Sequence, residues 1–140
     1  TNAAAIKPAF TSPTGSDPAL VVTVSPWTSV VTKSQAAANS TTTAYAASLI
    51  VKASFGTLYV ITGFNSKTTD QFIQVHDSAT LPADGAVPKI IFRVAANSNF
   101  SLDLGTYGRT TVAGIVVCNS STGPTKTIGA ADCWFDCQYI

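Results

Sequence analysis

The sequence predicts an all-β chain: an antiparallel β-sandwich or jelly-roll-like domain with an extended N-terminal arm. Three observations predict it. Short apolar runs recur from Ser48 to Ile140, separated roughly every 8–12 residues by Gly, Pro, Asn or Asp. Phe100, Leu102 and Leu104 alternate with Ser101 and Asp103, the period of two of a half-buried strand. Residues 113–118 (AGIVVC) are nearly all apolar, as in a strand covered on both faces.

Residues 1–47 read as an arm and linker. Pro8, Pro13 and Pro18 fix φ and remove donors, so this stretch should be extended or irregular. Leu20 to Val24 has the composition of a short strand, ended by Pro26, and Trp27 follows among Ser and Thr. The small-residue stretch 34–47 permits one helical turn at its Ala run, but Thr41, Thr42 and Thr43 oppose a long helix. Arm residues Ile6, Pro8, Phe10, Leu20, Val22 and Trp27 are the candidates for contact with a partner.

Residues 48–140 read as the body. Strands are expected at 48–53, 57–64, 71–76, 89–95, 100–104, 113–118 and 132–140. The connections carry turn chemistry: Phe55-Gly56, the run 65–68, Asp84-Gly85 between Pro82 and Pro88, 97–99, 105–109, and a polar loop holding Gly123-Pro124. Seven or eight such strands suggest two packed antiparallel sheets.

The chain has 140 residues, enough to bury roughly 68% of its unfolded surface without metal or disulfide staples. Only 11% of its residues are charged, against about 25% in typical domains. Hydroxyls and amides replace the charge, and they are cheaper to desolvate. This suits a subunit packed against others, or a secreted β domain with a neutral surface. Residues 49–51, 58–61 and 90–92 are apolar on both strand faces, so the second face needs a partner, the arm or the chain's own loops.

Net charge is +1 and the basic residues are scattered singly, which argues against nucleic acid. No apolar run approaches the roughly 18 residues of a membrane span.

Reactive groups are few. His76 is the only histidine, and all seven acidic residues are Asp. His76, Asp77 and Ser78 are consecutive, but neighbouring strand residues face opposite ways, so they do not build a triad. The expected role of His76 is structural, and no catalytic, cofactor-binding or metal-binding residue is assigned. On one strand, Cys133 and Cys137 would lie about 13 Å apart, too far for a disulfide. Cys118 could pair with either, or all three could be free thiols. A zinc site would need these cysteines and His76 to converge without a CxxC knuckle, and none is expected. Residues 123–127 (GPTKT) echo the end of a phosphate loop but lack its upstream glycine, and read as a surface turn. Trp27, Tyr45, Tyr59, Tyr107, Trp134 and Tyr139 could form a sugar platform or simply pack a sheet.

One resemblance adds to this reading. The segments 57–66, 71–78 (QFIQVHDS), 81–88 (LPADGAVP), 98–101 (SNFS), 107–109 (YGR), 114–121 (GIVVCNSS) and 131–135 (ADCWF) together resemble small virion proteins of tailed bacteriophages, the capsid decoration or cement proteins. The resemblance leaves residues 1–47 uncovered and contains no catalytic motif. It implies a non-enzymatic β-sandwich or jelly-roll subunit without cofactors, made in the host bacterial cytoplasm and placed on the outer capsid surface. The implied partners are the major capsid protein and two further copies in a homotrimer. The matched segments hold Cys118 and Cys133, the pair kept as a disulfide candidate, while Cys137 stands outside the pattern. Cytosolic assembly would favour reduced thiols. Two other readings stay open: a carbohydrate-binding module, and a tail or baseplate subunit of the same fold.

Overall fold

The computed structural model describes residues 37–140, and these form nine β-strands and no helix. In chain order they are β1 (Ala38–Thr41), β2 (Ser48–Lys52), β3 (Gly56–Asn65), β4 (Gln71–Asp77), β5 (Ile90–Val94), β6 (Ser98–Asp103), β7 (Arg109–Thr111), β8 (Ile115–Ser120) and β9 (Cys133–Tyr139). They build two antiparallel sheets. The first runs β1-β9-β3-β6, with the short β7 also paired to β3, and the second runs β2-β8-β4-β5.

Period-two alternation places the core between the sheets. Leu58, Ile61, Phe100, Phe135 and Cys137 come inward from the first sheet, and Val51, Ile73, Val75, Ile115 and Val117 from the second. The Phe100 ring packs on both Phe92 and Phe135, with centroids 5.9 and 6.2 Å away. Gly63 leaves room for this cluster, because a Cβ there would collide with the Phe100 ring and the Trp134 carbonyl. As expected, Phe100 is buried, with Leu102 and Leu104 packed against the same core.

Two strands lie where the sequence suggests none. β1 falls inside the stretch read as linker and pairs with β9, Ala38 opposite Tyr139 through Thr41 opposite Asp136. The body therefore begins by residue 38, not 48. Small polar residues suffice there because an edge strand is held by its ladder and need not contribute to the core. β7 falls partly in the predicted turn 105–109, held by Thr111 opposite Gly56 and by the Thr111 hydroxyl donating to the Gly56 carbonyl at 3.2 Å. The arm candidates Ile6, Pro8, Phe10, Leu20, Val22 and Trp27 lie outside the described residues.

β8 is buried at every position, as the apolar run 115–118 predicts and Asn119 and Ser120 do not. Its inner face meets the core, and the cover on its outer face comes from the chain's own loops. Gln74 of β4 donates from Nε2 to the carbonyls of Thr122 (3.0 Å), Gly123 (2.9 Å) and Thr125 (3.3 Å), holding the 121–128 loop over the second sheet. Backbone bonds of 2.8 Å, Gly85 N–H to Lys126 O and Lys126 N–H to Ala86 O, join that loop to the 78–89 connection. The apolar outer face of β8 is thus no argument for a partner.

Candidate functional site

Residues 76–78 are all engaged in holding the fold. His76 faces outward from β4 beneath the loops and is 2% exposed. Its Nε2 lies 3.3 Å from Gln74 Oε1, and burial, with the charge of Lys126 nearby, lowers its pKa. Asp77 Oδ1 accepts the backbone N–H groups of Val112 (2.9 Å), Ala113 (2.7 Å) and Gly114 (3.4 Å), while Oδ2 pairs with Lys89 at 2.8 Å. The Lys89 hydrogen bond and then these N–H groups hold its carboxyl well below the usual range. The Ser78 hydroxyl donates to the Thr80 carbonyl. A shallow depression beside them is walled by Pro82, Ala86, Val87 and Pro88, with no further titratable group but Lys89.

The cysteines are free and buried. Cys118 faces the loops, near Lys126 and Asp84, whereas Cys133 faces the opposite way into the core. The proposed Cys118–Cys133 disulfide is therefore corrected: two successive pleats of β8, Val117 in and Cys118 out, decide the direction. Burial pushes the thiols of Cys118 and Cys133 up to about 11 and that of Cys137 up to about 12. Among the described residues no group of His, Cys and Asp is placed to hold a metal ion.

The segment 123–127 is a surface loop, as read, but Lys126 turns inward from it. Its side chain is 3% exposed, and its ammonium pairs with Asp84. Nothing in the local sequence signals this, because the burial depends on where the 78–89 connection lies.

Two further regions of the described residues bear on function. At one end of the sheets, Gly56 pairs with Thr111, so the next residues out, Phe55 and Val112, stand across from each other, 62% and 75% exposed. Tyr107 is 92% exposed on the same β6–β8 connection as Val112.

The other region is the outer face of the first sheet. Phe135 and Gly63 face the core, so their neighbours Trp134 and Phe64 face out. Register sets Trp134, Phe64 and Asn99 in one row across β9, β3 and β6. The next row holds Thr41, Asp136, Thr62 and Ser101. Of the aromatics singled out in the sequence, Tyr45 and Trp134 line one depression, Tyr139 packs against the core and Tyr107 stands apart. Trp27 lies outside the described residues. Phe64 escapes sequence reasoning because its orientation depends on which pleat of β3 faces the core.

Comparison with protein-family models, curated proteins and solved structures finds no match to this chain. No helix among the described residues is long and apolar enough to cross a membrane.

Proposed function

We propose that the chain is a non-enzymatic virion subunit, a decoration protein on the outer capsid surface of a tailed bacteriophage. It acts as a homotrimer that clamps major capsid protein subunits. The strand order carries this reading. With the three-residue β7 set aside, eight strands remain, and renumbered they run 1-8-3-6 in one sheet and 2-7-4-5 in the other. That order results when a long antiparallel ribbon is wrapped into two sheets, the jelly roll common in viral capsid and lectin domains. Fold alone does not assign function, so the surface supplies the second support. His76, Asp77, Asp84 and Lys126 are tied into the fold, while Phe55, Val112, Val87 and Tyr107 face solvent. Exposed apolar side chains with a low-charge surround suit contact with other subunits. Edge strand β1 has neither charge nor proline to guard it against pairing.

The test has two measurements on the full chain. Light scattering should give about three times the 14.4 kDa chain mass. The protein should also cosediment with shells assembled from the major capsid protein of the genome that encodes it. Phe55→Asp is expected to weaken cosedimentation about tenfold or more without loss of folding, since the side chain is largely exposed. Deleting residues 1–26 of the predicted arm should weaken it as well. A monomer that ignores these shells would overturn the proposal, and microscopy placing the chain on the tail would select the baseplate reading.

A further inference from the structure

The depression in front of Trp134 is made by an irregularity in the first sheet. Thr42 N–H donates to the Phe135 carbonyl at 2.9 Å, and the Thr42 hydroxyl accepts the Phe135 N–H at 3.0 Å. Pairing resumes at Ala46, whose N–H donates to the Cys133 carbonyl at 2.6 Å. Three residues, Thr43, Ala44 and Tyr45, therefore oppose the single residue Trp134. Such an excursion turns side chains away from the regular pleat and is common beside functional sites. Here it opens a hollow of about 320 Å³ lined by Thr42, Thr43, Ala44, Tyr45 and Trp134. Tyr45 is half exposed at its rim.

Beyond the hollow, the same sheet face carries the row described above. Phe64 lies directly across from Trp134, and Asn99 follows on the next strand. Asp136 stands on the same face as Trp134, two residues along β9 and roughly 7 Å away. Asp136 is partly exposed, and a carboxylate accepts from hydroxyl donors. Neither this row nor the next contains Lys or Arg. An anionic ligand such as a phosphate or nucleic acid strand would find no counter-charge.

From this arrangement we propose that the outer face of the first sheet binds a neutral oligosaccharide. A pyranose ring has an apolar C–H face and a rim of hydroxyls. The first matches the Trp134, Phe64 and Tyr45 rings, the second the Thr43 hydroxyl, the Asn99 amide and the Asp136 carboxylate. The hollow is at the small end of ligand pockets, the scale of one sugar unit, with the row providing for a second. The site is independent of the capsid reading: it lies on a sheet face, whereas Phe55 and Val112 are at an end of the sheets.

The test titrates the full chain with four hexasaccharides: β-1,4-glucan, β-1,3-glucan, α-1,4-glucan and β-1,4-linked N-acetylglucosamine. Nuclear magnetic resonance follows the two indole N–H signals, with Trp27→Phe assigning that of Trp134. At least one sugar should shift the Trp134 signal saturably, with Kd on the order of 1 mM or tighter. Trp134→Ala should weaken that binding about tenfold or more. Tyr45→Ala, in the exposed excursion, should weaken it also and covers the case in which the Trp134 variant fails to fold. Tyr107→Ala should leave it unchanged. No shift with any of the four sugars, or binding indifferent to Tyr45→Ala and Trp134→Ala, overturns the proposal. If instead the sugars do nothing and Tyr45→Ala reduces cosedimentation with capsid shells, the face is a protein interface and the assignment is wrong.

Discussion

The Lys126 ammonium is buried, yet the Asp84 carboxylate that accepts its hydrogen bond is about half exposed. The pair closes the contact between the two loops over the second sheet, and Asp84 also accepts the Ile128 N–H at 3.1 Å. Beneath them lie His76, Val116 and Cys118, all nearly free of solvent. Lys126→Ala removes the buried aliphatic stem together with the ammonium, and should lower Tm by roughly 5–15 °C. Lys126→Met keeps most of the stem and should lower it less. Cys118 reports on the loops directly, because it alone of the three thiols faces them. In Lys126→Ala a thiol reagent should modify Cys118 before Cys133 or Cys137, as read by peptide mass. Equal protection of all three thiols, with an unchanged Tm, would show that the loops hold without this pair.

Stability should fall with acid in two stages. Burial keeps the His76 imidazole below its ordinary 6.5, so the unfolded chain takes up that proton more readily. The His76 contribution is present above 6.5 and is lost as pH falls from there through the lowered folded value. Asp77 is held below 3.8 by the Lys89 hydrogen bond and by three backbone N–H groups, and Asp70 and Asp84 are also lowered, each chiefly by its cationic partner. Their contributions persist above 3.8 and disappear below it as the carboxylates are protonated. Calorimetry across this range should therefore show a shallow decline in Tm starting near 6.5 and a steeper one under 3.8. His76→Gln should abolish the first decline and leave the second. A Tm that rises on acidification from neutral would contradict both assignments.

How much of this is legible in the chain follows from what local pattern can encode. Phe100, Leu102 and Leu104 declare both their strand and its inner face, since alternation is a property of neighbouring residues. The apolar run 113–118 likewise announces cover on both sides, but the sequence does not say that Gln74 and its three carbonyl partners supply that cover. β1 is invisible because Ala and Asn disfavour strands and the four residues carry no apolar alternation, so only the β9 ladder fixes them. The half-buried outer row of Trp134 and Phe64 is half legible. Trp134 is an obvious candidate, whereas its union with Phe64 needs the β3–β9 register. Pairings between residues 60 or more positions apart leave no trace in either segment alone.

Gly129 closes a buried polar cluster that admits no methyl group. Gln71 Nε2 donates to Asn65 Oδ1 (2.8 Å) and Asp132 Oδ1 (2.7 Å), and Asn119 Nδ2 donates to Asp132 Oδ1 (2.7 Å) and the Ala130 carbonyl (2.8 Å). With their amino groups fixed, the two amides turn their oxygens toward Gly129, and neither oxygen has a conventional donor. The Gly129 Cα–H faces them, a weak donor that only a residue lacking Cβ offers in that direction. A Cβ would stand 2.5 Å from Asn119 Oδ1 and 2.8 Å from Gln71 Oε1. Gly129→Ala must displace amides anchored at their other ends, and should cost about 2–4 kcal/mol in urea unfolding. Gly85→Ala is the comparison: nothing lies within 4 Å of its Cβ position, so only its φ of +90° opposes the change. That strain costs roughly 1–2 kcal/mol. If Gly129→Ala costs no more than Gly85→Ala, the amides are free to turn and the cluster is not rigid.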